Sequence, residues 1–148
     1  AHVPLVLVAM SVIYALSSWP SGSFSDRYGR RALFVVGVLV LVLADGVLAL
    51  VSGPVGVFAG AALWGLHVGM TQGVLSAMIV DASGAQRRGT AFGVYGLASG
   101  VGLLVASVVA GAVWDGWGGQ STFALGGVLA VLTLAAAMLW MPRNRNMP

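Results

Sequence analysis

Apolar residues along this chain come in long blocks, with no alternation of apolar and polar positions. Five blocks can be marked, at about 3–19, 32–51, 55–80, 90–113 and 121–141. A helix needs about 20 mostly apolar residues to cross a hydrocarbon core of about 30 Å, and each block comes close to or meets that length. The separators are turn-forming: Pro20-Ser21-Gly22, Ser52-Gly53-Pro54, Asp81-Ala82-Ser83-Gly84 and Asp115-Gly116-Trp117-Gly118-Gly119. Membrane strands would show alternating segments of about ten residues with polar lumen positions. These blocks are apolar on all sides and about twice as long, and a helix satisfies its own backbone groups, as lipid requires. The pattern therefore predicts an all-α integral membrane protein, with residues 1–148 forming one transmembrane domain of five helices.

Composition agrees with a chain whose solvent is lipid. Only 7% of residues are charged and 59% are hydrophobic, against roughly 25% charged in soluble domains. The net charge of +3 comes from seven arginines and four aspartates, without lysine or glutamate. Such a basic balance raises the question of nucleic acid, but the arginines sit in short connections between apolar blocks, and no nucleic-acid partner is expected. Arg27, Arg30 and Arg31 lie between the first two blocks, Arg87 and Arg88 between the third and fourth, and Arg143 and Arg145 after the fifth. With five spans all seven fall on one side, which the positive-inside rule makes cytoplasmic. The N-terminus is then outside and the C-terminus in the cytoplasm, in a multi-pass protein of the plasma (inner) membrane. Without cysteine there is no disulfide framework and no thiolate metal site. No basic region precedes the first block as in a secretory signal. Because the chain opens on Ala1 and enters an apolar block almost at once, it is expected to be a truncated piece of a longer protein.

Small residues recur at helical spacing. Ala61, Gly65, Gly69, Gly73 and Ala77 are four apart in the third block; Gly93, Gly96, Gly100, Ser107 and Gly111 share a face in the fourth. Such stripes let helix backbones approach closely where water gives no hydrophobic drive. They serve equally as fixed packing and as surfaces that rock in a transporter.

The first connection reads Gly22-Ser23-Phe24-Ser25-Asp26-Arg27-Tyr28-Gly29-Arg30-Arg31. On its own terms, Gly22 and Gly29 permit a tight turn, and Asp26 can pair with Arg30 one helical turn later or sit against a helix N-terminus. The stretch resembles the signature loop of the major facilitator superfamily, with Phe24 where leucine is commoner, and it falls in a short connection between two spans. The resemblance implies a conformational latch formed by Gly22, Asp26, Arg27, Gly29, Arg30 and Arg31. Arg88-Gly-Thr-Ala-Phe-Gly93 and Trp114-Asp-Gly-Trp-Gly118 look like parts of the last two spans of such transporters. The third block has no arginine, whereas the matching span of an N-terminal half usually does. The resemblance thus implies helices eight to twelve of twelve, an incomplete C-terminal half whose missing N-terminal half would be a partner.

Ionisable residues inside a span need a partner or a wet cavity. His67 is near the middle of the third block and shares a face with Trp64 and Thr71, with Gln72 nearby. The resemblance makes this block a cavity-lining helix, so His67, Trp64, Thr71 and Gln72 are candidates for a substrate or proton site. The alternative is a histidine hydrogen-bonded to a neighbouring helix. Asp45 is expected to bond to a neighbouring helix or reach outward, and Asp81 to cap its helix or pair with Arg87 or Arg88. Trp19, Trp114, Trp117 and Trp140 are expected at membrane interfaces. No phosphate-binding Gly-x-x-x-x-Gly-Lys-Ser/Thr loop and no His-Glu-x-x-His pattern occurs, so no cofactor or metal is expected. The function implied is secondary active transport of a small molecule, proton-coupled, with the fragment inactive alone and no enzymatic role. The alternatives are a non-transporting structural or regulatory membrane protein, and an intramembrane hydrolase using Ser99 with His67.

Overall fold

The computed structural model describes residues 3–141. Arg143 and Arg145, assigned by sequence to the arginine-bearing side, lie outside the described residues. Among those described there is no strand. The elements are α1 (Val3–Tyr28), α2 (Arg30–Leu50), α3 (Pro54–Ala82), a short 3₁₀ turn (Ala85–Arg87) and α4 (Arg88–Trp140). All four α-helices are long and apolar enough to cross a membrane.

Two differences from the sequence reading have clear causes. The helix expected to stop near residue 19 runs on to Tyr28, and Gly22 lies inside it, not in a turn. Pro20 removes one backbone donor and leaves the Leu16 carbonyl without its helical partner, a loss that membrane helices tolerate. The serines around it bond other carbonyls of the same helix, Ser18 that of Tyr14 at 2.7 Å and Ser21 that of Ser17 at 2.6 Å. The second difference is at the other end of the chain. The fourth and fifth blocks form one 53-residue element, interrupted only at Gly118 with φ 82° and ψ 173°. A straight helix of that length would measure about 80 Å, well beyond one bilayer core of about 30 Å. The break at Gly118 divides it into arms 88–117 and 119–140.

Among the described residues three have positive φ, and all are glycines at corners: Gly29 (88°), Gly53 (91°) and Gly118 (82°). Side chains rarely adopt this backbone region. Gly29 alone separates α1 from α2, and Gly53 precedes Pro54 at the first turn of α3. Proline suits that position, where no intrahelical donor is needed.

Packing is arranged around α3 and α2. α1 and α2 each lie along α3, and α2 also packs with α4. The α1–α3 seam is closed by glycine. A Cβ on Gly65 would strike the Met10 carbonyl, and one on Gly69 would strike Ser17 and lie 2.9 Å from the Tyr14 carbonyl oxygen. On the α2–α3 seam, Gly37 lies against Thr71 and Gly60 against Leu48. The arm 119–140 rests on α2, with Gly126 and Gly127 beside Asp45. The arm 88–117 is exposed along almost all its length.

Candidate functional site

The corner between α1 and α2 holds the charged stretch singled out by sequence. Asp26 is on the last turns of α1, exposed, and among the described residues it makes no ion pair. Arg27 stacks over the Tyr28 ring at 5.9 Å, and Tyr28 stacks on Phe24. The expected Asp26–Arg30 pair does not form. Instead Arg30 donates to the Ala77 carbonyl at 2.8 Å and pairs with Asp81 at the end of α3. The reason is geometric: the extended turn at Gly29 separates the two residues, so one-turn helical spacing does not apply between them. Asp81 is accordingly held by Arg30, not by Arg87 or Arg88. Arg31 donates to the Met138 carbonyl at 2.7 Å, one of the last-turn carbonyls of α4 that lack a helical donor. Neighbouring arginines thus tie the start of α2 to the ends of α3 and α4.

The polar residues of α3 divide between two seams. The His67 Nδ1–H donates to the Gly37 carbonyl on α2 at 2.8 Å, because a carbonyl can only accept. This leaves Nε2 without a protein partner among the described residues. Thr71 is buried on the same side and donates to the His67 carbonyl at 2.8 Å. Gln72 is on the opposite seam, where its Oε1 accepts from the Tyr14 hydroxyl of α1 at 3.2 Å. Trp64 is exposed. The four candidates therefore do not converge on one point: His67 and Thr71 meet α2, and Gln72 meets α1. Tyr14 and Gly37 were not singled out from sequence. Gly37 carried a signal, as a lone glycine in a run of valine and leucine, which marks close helix approach. Ser99 is on the exposed arm of α4, while the His67 Nδ1 is engaged by Gly37.

Of the glycines assigned to packing, Gly65 and Gly69 lie in the α1–α3 seam. Gly73, Gly93, Gly96 and Gly100 have open space where a Cβ would be. Asp45 is buried between α2 and the arm 119–140, 5% exposed.

The Major Facilitator Superfamily model matches residues 1–147. The chain belongs to the major facilitator superfamily. Among curated members of the superfamily it is 29% identical to an uncharacterized MFS-type transporter of Methanocaldococcus jannaschii, over 88% of this chain and 33% of that protein. It is 30% identical to the class B tetracycline resistance protein of Escherichia coli, over 93% of this chain and 33% of that protein. With a proton myo-inositol cotransporter of Caenorhabditis elegans it shares 27% identity, over 80% of this chain and 20% of that protein. The chain spans between a fifth and a third of the length of these superfamily relatives. Superfamily membership and the long apolar helices make it a multi-pass membrane protein of that superfamily.

Proposed function

We propose that this chain supplies helices to a secondary transporter that carries a small molecule by alternating access, driven by protons. The observation that carries this reading is the Tyr14–Gln72 hydrogen bond, formed between exposed residues of two largely apolar helices. Hydrogen-bonding groups within spans are costly in lipid and mark pathways. Ser11 and Ser18 share the Tyr14 arc of α1, and Ser76 lies one turn beyond Gln72 on α3. The resulting strip suits an uncharged or zwitterionic polar solute. His67, with Trp64 and Thr71 on its helix, is the proton candidate: its Nδ1–H is fixed on Gly37, and Nε2 remains to accept. Asp26, exposed at the corner, is the latch residue, and its partner would belong to the remaining helices. The relatives' printed functions, tetracycline resistance and proton–myo-inositol cotransport, support both the solute class and the coupling. On this reading the chain forms the last five of twelve helices in a plasma or inner membrane, with arginines in the cytoplasm. Alternating access rocks one helical bundle against another, so the 148-residue chain alone is inactive.

The test is uptake by the full-length transporter in liposomes with an imposed pH gradient, using tetracycline and myo-inositol as probes. Gln72→Ala and Tyr14→Phe are expected to weaken apparent affinity, His67→Ala to flatten the pH dependence, and Val68→Ala to do neither. Parent-like kinetics in all three site variants would overturn the site assignment. Saturable uptake by the 148-residue chain alone would overturn the incomplete-bundle reading.

A further inference from the structure

At the end of the bundle away from the described arginines, an open groove of about 420 Å³ runs between α2 and the arm 119–140 of α4. Its walls are apolar, including Val42, Leu50, Phe123 and Val131, with one exception: Asp45. Asp45 as a residue is 5% exposed; among the described residues its carboxyl has neither a hydrogen-bond donor nor a counter-charge, and its oxygens keep some accessible surface at the groove it lines. Gly126 and Gly127 make the room it occupies; a Cβ on Gly126 would lie 3.0 Å from its Oδ2. An acidic group facing an apolar groove without a partner is costly in a membrane protein and implies one.

We infer that this groove binds a lipophilic amine taken from the bilayer, its ammonium on Asp45 and its alkyl chain along the apolar wall. Three features select that chemistry. The acidic group calls for a cation with N–H donors. The volume falls in the range of about 300–1,000 Å³ typical of small-ligand clefts. The depth also fits: Asp45 is five residues before Leu50, the last residue of α2, or about 7.5 Å along the axis. A headgroup held there leaves its tail to run toward the membrane centre. A phospholipid fits less well. Its phosphate would have to lie beside Asp45, and the groove lining contains no arginine to hold it. The site is on the far side of α2 from the Tyr14–Gln72 strip and does not depend on the transport reading.

Equilibrium binding of radiolabelled dodecylamine to the purified chain in phosphatidylcholine nanodiscs, corrected for protein-free discs, tests the inference. Saturable binding of about one amine per chain is expected, weakened about tenfold or more in Asp45→Asn through loss of a charge-assisted contact. Dodecanol should compete poorly, and phosphatidylethanolamine in the discs should leave binding intact. Val128→Trp, a change at an exposed groove position, should block binding while leaving Asp45 in place. Helix content by circular dichroism establishes that each variant is folded. The inference is overturned by non-saturable binding, by parent-like affinity in folded Asp45→Asn or in Val128→Trp, or by displacement with phosphatidylethanolamine.

Discussion

Arg30 and Arg31 are adjacent in sequence but bind different helices, Arg30 reaching α3 and Arg31 the end of α4. Arg30 and Asp81 are one-third and more than half exposed in their side chains, and ion pairs so wet contribute little, about 0–1 kcal/mol. The hydrogen bond from Arg30 to the Ala77 carbonyl should persist when Asp81 is neutralised. A double-mutant cycle with Asp81→Asn and Arg30→Gln, followed by thermal unfolding in detergent, should therefore give a coupling below about 1 kcal/mol. Arg30→Gln alone should cost more than Asp81→Asn. Equal costs would mean that the carbonyl contact adds nothing. At this scale the sequence was partly legible. The charged stretch and the polar residues of α3 could be named, but not their partners. Asp26 and Arg30 have helical spacing, and only the backbone at Gly29 shows that they do not share a helix. His67, Thr71 and Gln72 are close in sequence, yet the step of about 100° from Thr71 to Gln72 sends Gln72 to α1 while His67 and Thr71 meet α2.

Among the elements, glycine is used in two distinct ways. Gly65 and Gly69 sit where α1 and α3 touch, whereas Gly93, Gly96 and Gly100 face open space on the arm 88–117. Their sequence spacing is alike, so periodicity could identify close-approach surfaces but not which of them is occupied. Leucine substitution separates them. Gly65→Leu in the isolated chain should lower thermal stability by about 1–3 kcal/mol or more, as overpacking against backbone does. Gly93→Leu and Gly100→Leu should leave it within about 0.5 kcal/mol. If the open stripe meets the remaining helices of a transporter, Gly100→Leu should instead damage the full-length protein. Equal tolerance of Gly65→Leu and Gly93→Leu in the chain would remove the distinction. Helix ends were less legible than helix existence. Pro20-Ser21-Gly22 reads as a break because proline interrupts soluble helices, whereas a membrane helix tolerates it and runs on to Tyr28. The Asp115–Gly119 stretch reads as a turn in the sequence, and its non-helical backbone is confined to Gly118.

For the whole molecule, the all-helical apolar character and the superfamily were legible, because block length and charge content depend on the solvent more than on packing detail. The orientation is a matter for measurement. Single cysteines placed at Arg30 and Arg87 should resist an impermeant maleimide added to intact cells, and those at Gly53 and Gly116 should react. Labelling at 30 or 87 would invert or dismantle the proposed topology. The assembly of the candidate site was not legible, since the chain spans a fraction of its relatives' length and the cavity of the proposed transporter would be shared between bundles.

Gly29, a one-residue joint between two long helices, has a consequence for protease digestion. Trypsin needs a flexible stretch of several residues in its cleft, and at this corner it meets Arg27, Arg30 and Arg31 on rigid helical backbone with only Gly29 between the helices. Arg87 and Arg88, by contrast, are exposed and follow the non-helical Ser83–Gly84. Among the described arginines, limited digestion of the folded chain in detergent should therefore nick first at 87–88 and spare 27–31. The three-helix piece and α4 should then co-elute, held together by the contact between α2 and the arm 119–140. Early cleavage at the Gly29 corner would show that the two helices part there in solution.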